Sequence, residues 1–300
     1  MTTTPDFAGD DGLVILDGSM GQELINSGAV DGTSRWATEG LLENPQAVVD
    51  LHQAYISSGV DIITTNSYSV SRDRFEINGV GDRLEELLSL AGELAVQARD
   101  RSDRRVRIAA SLPPLQGSYR GDLARPYEVD LPLYNEIADH IGPYVELFIA
   151  ETMTTVDEAR AASDAARGRG KPVWVAWTVQ NGGTSGPLSG ETWQEAVDAV
   201  TADAYLINCS GPEQISEALP LLKQAAGDTP VGAYGNAFAS MPLGWSNLHG
   251  DPLPAGREDI DADRYTEFVR EWIDLGASIV GGCCEIGRTH MRHLCSALRP

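Results

Sequence analysis

The sequence is short of positive charge, of cysteine and of long apolar runs, and each shortage excludes something. There are 22 Lys and Arg against 44 Asp and Glu, a formal net charge of −22. A surface this acidic repels phosphate backbones and argues against nucleic-acid binding. No run approaches the roughly 18 apolar residues that a membrane-spanning helix needs. Residues Met1 to Asp11 are polar and acidic, unlike a signal peptide. The expectation is therefore a cytoplasmic location, with residues 1–11 forming a flexible N-terminus. Short repeats and low-complexity tracts are missing. No G-x-G-x-x-G follows the first apolar run, which counts against an open dinucleotide-binding sheet.

What is present is alternation. The 300 residues are 42% hydrophobic, enough for one large core. Strand-like runs are read at 13–16, 61–65, 106–110, 145–150, 173–179, 204–209, 231–234 and 278–282. Helical patterns are read at 45–58, 82–101, 133–141, after Thr155 or Asp157, and at 193–200, 212–226, 263–275 and 287–298. Residues 115–130 read as a loop, 181–190 as a Gly-rich loop, and 235–258 as a lid or a surface excursion. Strands that alternate with helices imply parallel pairing. Eight such units in a chain of this length fit a single (β/α)8 barrel spanning residues 1–300, the α/β fold class adopted here. An open doubly wound sheet is the alternative.

In a parallel barrel, chemistry gathers where strands end at the C-terminal face. The expected strand ends bring Asp17, Asn66, Glu151, Cys209 and the pair Cys283-Cys284 to that face. Adjacent cysteines make a strained disulfide, so metal binding is the better use of the pair. Strands four, six and eight are all even-numbered, so Glu151, Cys209 and one of the paired cysteines are expected in one inward layer. Three thiolates with an open fourth position suit a catalytic Zn2+. Cys295 sits among helical leucines and reads as packing. A rival site from His290 and His293 with the cysteine pair fails on direction, since an outer helix points its rings away.

These segments resemble the homocysteine S-methyltransferase family. Asp17-Gly18-Ser19-Met20-Gly21-Gln22-Glu23-Leu24 resembles its opening motif, and residues 58–68 its second-strand segment. Glu151-Thr152, Asn208-Cys209 and Gly281-Gly282-Cys283-Cys284 resemble its E-T, N-C and G-G-C-C motifs. The resemblance runs over residues 13–298 and implies zinc on Cys209, Cys283 and Cys284. It implies methyl transfer from a cationic donor (S-methylmethionine, betaine or a related sulfonium) to L-homocysteine, forming methionine. Asp17 and Glu151 are then catalytic and hold the amino-acid end; an ammonium needs carboxylates. The candidate substrate contacts are Asp17, Glu151, Asn66, Asn208, Tyr119 and Arg120. Arg120 would meet a donor carboxylate such as that of betaine, and Trp36, Tyr68, Tyr119, Trp177, Tyr234 and Trp245 are candidate faces for its cation.

Three departures from the family pattern bear on the donor: Glu285 where Gly is common, Arg288 where Pro is often found, and residues 112–120 in place of a Gly-Pro-Tyr-Gly type loop. Other readings carried forward are a hydrolytic zinc barrel, disfavoured by the lack of strand-end histidines; a non-catalytic zinc- or thiol-binding barrel; and a homocysteine-binding barrel served by a separate cobalamin or other methyl-carrier partner. Small molecules are the expected partners, with no nucleic acid and no membrane; the sequence says nothing of oligomeric state.

Overall fold

A computed structural model describes residues 7, 9, 11–31, 35–179, 183–242, 244–245, 248 and 251–299. The strands are β1 (Val14–Ile15), β2 (Ile62–Thr64), β3 (Arg107–Leu112), β4 (Leu147–Met153), β5 (Val173–Trp177), β6 (Ala204–Asn208), β7 (Val231–Gly235) and β8 (Ile279–Gly282). All pair in parallel, in the order β1-β8-β7-β6-β5-β4-β3-β2. A parallel bridge between Leu16 and Ile62 joins the two ends of that order, and Asp61 N–H donates to the Ile15 carbonyl at 2.8 Å. The sheet is a barrel, as the alternation predicts.

The outer helices are α1 (Gly21–Asn26), α2 (Thr38–Glu43), α3 (Pro45–Ser58), α4 (Arg72–Asn78), α5 (Leu84–Asp100), α6 (Tyr127–Ile141), α7 (Val156–Arg167), α8 (Trp193–Ala199), α9 (Pro212–Ala226), α10 (Ala262–Asp274) and α11 (Arg288–Leu298). Local chemistry explains where several begin and end. Asn44 caps α3 by accepting from Ala47 N–H, Pro45 fills its first turn, and Gly59 stops it in the left-handed region at φ 114°. Thr155 caps α7, and Thr192 with Glu195 forms a capping box on α8.

Three short helices, α1, α2 and α4, lie outside the sequence reading. At six or seven residues each, they are too short for a 3.6-residue period to show. Helix α6 begins six residues before the expected start at 133, because Pro132 is accommodated inside it. Proline lacks an N–H and crowds the preceding turn, so a helix that runs through Pro132 leaves a weak local signal.

Inward side chains from alternate strand positions fill the barrel: Val14 and Leu16, Ile62, Ala109, Leu147 and Ile149, Trp174 and Ala176, Ala204 and Leu206, Tyr234, and Ile279. A second, larger core lies between the sheet and the helices. Most of the expected flexible terminus lies outside the described residues. Phe7, within it, packs its ring against Trp174 at 6.0 Å and plugs the barrel's N-terminal mouth.

Candidate active site

The C-terminal mouth opens into a cleft with about 830 Å³ of free space, counted to its open side. Asp17, Asn66, Tyr119, Glu151, Cys209, Cys283 and Cys284 all line it. Strand alternation explains Glu151, which continues the inward series Leu147, Ile149. It also explains Cys283, two residues past the inward position Gly281. Gly281 must stay a glycine, because a Cβ there would stand 2.7 Å from the Leu16 Cβ.

Cys209 arrives by a different route from the one expected. The inward series Ala204, Leu206 continues to Asn208, so Cys209 should face outward. It adopts φ 46° instead, in the left-handed region, and this turn swings its thiol back over the barrel. The shared layer of even-numbered strands therefore holds for Glu151 and Cys283 but not for Cys209. Among the described residues, five non-glycines have positive φ: Trp36, Tyr119, Thr152, Cys209 and Glu285. Four line the cleft and the fifth follows Cys284. Strain of about 1–3 kcal/mol per such residue is concentrated where the chemistry is.

The three sulfurs converge. Cys283 Sγ lies 2.7 Å and Cys284 Sγ 3.7 Å from Cys209 Sγ, and all three ligand atoms fall within 4.8 Å of one another. Tetrahedral zinc with Zn–S bonds of ~2.3 Å needs sulfurs roughly 3.8 Å apart, so small side-chain adjustments admit the ion. Burial by itself would raise the Cys209 thiol, but hydrogen bonds with Cys283, Cys284 and Tyr119 hold it well below its usual range. Cys283 and Cys284 are held well above theirs, first of all by their hydrogen bonds with Cys209. Cys209 is thus the most readily ionised of the three thiols. The Tyr119 hydroxyl sits 3.0 Å from Cys209 Sγ, and Asn236 Nδ2 lies 3.9 Å from it. Cys295 is buried in the outer core, away from the trio.

Two carboxylates face the same cleft. Asp17 accepts from Thr64 N–H at 2.8 Å and Thr64 Oγ1 at 3.0 Å. Burial nevertheless drives its pKa up to about 8, with the Glu151 charge adding to the rise. Glu151 accepts from the Ser111 hydroxyl and from Tyr234 OH at 3.1 Å, and burial raises it to about 7. Both acids need a positive partner to ionise fully here.

Two expected substrate contacts are placed elsewhere. The Asn208 amide is spent on Thr152: Oδ1 accepts from Thr152 N–H and Nδ2 donates to Thr152 Oγ1, each at 2.9 Å. It lies beneath the cleft and holds the turn after Glu151, where Thr152 has φ 60°. Arg120 pairs with Asp122 at 2.8 Å and donates to the Gly244 carbonyl at 3.3 Å, outside the lining. An exposed carboxylate two residues away satisfies its guanidinium locally.

Five of the six aromatics expected at the mouth line the cleft: Trp36, Tyr68, Tyr119, Tyr234 and Trp245. Trp177 does not. It stacks on Tyr205 at 5.8 Å in the outer core. In the 235–258 segment, Phe238 and Trp245 pack over the cleft with Tyr119 and Cys284, pinned by Ala239 N–H to the Ala255 carbonyl and Trp245 Nε1 to the Pro252 carbonyl, 2.8 Å each. Sequence reasoning missed Gln22, Thr64, Ser111, Ser118 and Phe238 as lining residues. Ser111 was within reach: it lies two residues past the inward-facing Ala109, so extending β3 beyond Ala110 turns it to the barrel interior. Gln22 on the short helix α1 left no periodic signal.

Comparison with known proteins places this geometry. The family model for homocysteine S-methyltransferase matches residues 14–298. Homocysteine S-methyltransferase 1 of Arabidopsis thaliana is 28% identical over 306 residues, covering 91% of this chain and 89% of the relative. Betaine–homocysteine S-methyltransferase 1 of Mus musculus is 27% identical, covering 96% of this chain and 72% of the relative. The solved structure of the Escherichia coli homocysteine methyltransferase MmuM, metallated form, shares the fold with a TM-score of 0.80 at 21% identity, covering 96% of this chain and 97% of that one. With the match running nearly end to end, the chain belongs to the homocysteine S-methyltransferase family and is a methyltransferase.

Proposed function

We propose that the protein transfers a methyl group from a cationic donor to the sulfur of L-homocysteine, forming methionine, with Zn2+ held by Cys209, Cys283 and Cys284. The observation that carries this is the meeting of three sulfurs from distant parts of the chain beside two buried carboxylates in one cleft. When bound, the ion supplies the acidity that keeps an acceptor thiol deprotonated near neutral pH.

The chain's own residues do the rest. Asp17 and Glu151 bind the ammonium of homocysteine, which supplies the positive charge their burial demands. Thr64, Ser111 and Tyr234 hold the two carboxylates in place. Tyr119 donates to Cys209 and fixes the orientation of that thiolate. Trp36, Tyr68, Phe238 and Trp245 offer ring faces to a sulfonium or quaternary ammonium and keep water out. The donor's methyl carbon accepts the thiolate electron pair as its bond to the donor heteroatom breaks. The leaving group departs neutral, so no acid is required. The catalysis asked of the barrel is orientation.

The test is a donor panel with homocysteine: S-methylmethionine, betaine, dimethylsulfoniopropionate and S-adenosylmethionine, with zinc measured per chain. Methionine formation by at least one donor, lost on zinc removal and regained on its return, is expected. Full activity in metal-free protein overturns the zinc assignment, and no turnover with any donor overturns the acceptor assignment.

A further inference from the structure

Gln22 lines the cleft, is 4% exposed, and its Oε1 is buried without a hydrogen-bond partner. An unmatched buried carbonyl is costly, so its persistence calls for a ligand. The other end of the amide is committed: Nε2 donates to Asn26 Oδ1 at 2.9 Å, one turn along α1. The Glu285 carboxylate lies beside Asn26, which draws its pKa down against the rise that burial causes. A carboxylate can only accept, so Asn26 must offer it Nδ2. That leaves Asn26 Oδ1 to face Gln22, which must then present Nε2 and keep Oε1 free. One acid thereby fixes the orientation of two amides.

Glu285 is held for this task. It follows the cysteine pair at φ 66°, and its carboxylate nests where a Cβ on Gly256 would come within 3.1 Å. Ser19 N–H donates to the Ile286 carbonyl at 2.9 Å, and Arg288 Nε meets Glu23 Oε1 at 2.6 Å, so the loop after β8 and the start of α1 are tied together. Asn66 repeats the pattern: Nδ2 donates to the Ala37 carbonyl at 2.9 Å, while Oδ1 is buried, unpartnered and in a cleft-lining residue. The cleft therefore offers two neutral acceptors besides its two carboxylates. A primary ammonium brings three N–H donors to such a set; a quaternary ammonium brings none.

We propose that Gln22 is a specificity-determining residue whose Oε1 accepts a hydrogen bond from the primary ammonium of an amino-acid ligand, and that Asn26 and Glu285 are positioning residues that hold its amide in that orientation. The inference rests on the reading that the cleft takes an amino acid. The ammonium belongs either to the acceptor or to an amino-acid sulfonium donor, and the experiment separates them.

Calorimetric binding to zinc-supplemented protein uses two matched pairs: L-homocysteine with 4-mercaptobutyrate, and S-methylmethionine with 4-dimethylsulfoniobutyrate. Within each pair only the ammonium differs. Gln22→Met is expected to weaken the ammonium-bearing member of one pair by about tenfold and leave its partner unchanged. The pair that responds identifies the ligand. In turnover the loss falls on KM, with kcat within about twofold. Glu285→Gly suits a positive-φ position and is expected to keep or raise Tm, yet to weaken the same ligand by about threefold as the amides lose their orientation. Glu285→Gln, which keeps an acceptor, is expected to restore binding.

Equal losses for both members of each pair, or no loss in Gln22→Met, overturn the role of Gln22. Undiminished discrimination in Glu285→Gly overturns the positioning role. Wild-type protein that ignores the ammonium in both pairs overturns the amino-acid reading and this inference with it. Wild-type discrimination that survives in Gln22→Met removes the inference alone.

Discussion

At the N-terminal mouth of the barrel, Phe7 covers Trp174 at 6.0 Å and the Arg107 guanidinium lies 5.8 Å over the Phe7 ring. Arg299 joins Asp61 at 2.8 Å and Asp11 at 2.9 Å, and Asp61 also accepts from Ile15 N–H. The C-terminal mouth is built in the opposite sense. Asp17 and Glu151 are buried with raised pKa values, Gln22 and Asn66 keep unpartnered oxygens, and strained residues surround the cysteines. At the lower end the charged groups Asp11, Asp61 and Arg299 are paired with one another. The upper end leaves its groups for a ligand. The two ends divide labour: one stabilises the barrel, the other is held in a state that binding completes.

The comparison can be broken most sharply at the sulfurs. Cys283→Ala or Cys209→Ala is expected to abolish zinc binding and lower turnover by more than about a hundredfold, beyond what loss of an outer hydrogen bond to a ligand costs. Metal content, turnover and Tm checked together should show the fold intact. At the other end, Trp174→Ala is expected to remove about 3–5 kcal/mol of stability, read by denaturant unfolding, with KM for homocysteine unchanged in the protein that remains folded. A KM change there would show that the two mouths are coupled.

Glu151→Gln removes one charged partner of the ammonium and is expected to raise KM for homocysteine by about tenfold or more, measured in steady state. The smallest effect is in pH. Asp17 and Glu151 have folded pKa values of about 8 and 7, above the usual carboxylate range. Between the unfolded and folded values the native state holds protons that the unfolded chain has released, so stability falls as pH rises from about 4 to about 8. Asp17→Asn is expected to flatten part of that fall in Tm-against-pH curves. Homocysteine affinity moves the other way and strengthens between pH 6 and 8, as the acids ionise for its ammonium.

The barrel was legible because its signal is repetitive. Helix α3 matches the sequence reading at Pro45 and Ser58, since Asn44, Pro45 and Gly59 mark its ends by local chemistry. The residues lining the site were legible where strand alternation or a compact motif carried them, as at Glu151 and Cys283. Asn208 and Arg120 fall outside the cleft lining for a common reason. Residue type and position bring a polar side chain near a mouth, but a neighbour, Thr152 or Asp122, can satisfy it first. Phe7 shows the same limit, because its partner Trp174 is 167 positions away in sequence.

By itself, then, the sequence determined the strand–helix alternation, the parallel barrel and the identity of the three sulfurs, all written in local periodicity and short motifs. Only the tertiary structure decided that a left-handed turn at Cys209 brings its thiol inward, and that Gln22 spends Nε2 on Asn26 and keeps Oε1 free in the cleft. The physical reason is that a hydrogen-bond direction or a backbone dihedral is chosen by whichever partner the fold delivers, and sequence distance does not record that choice.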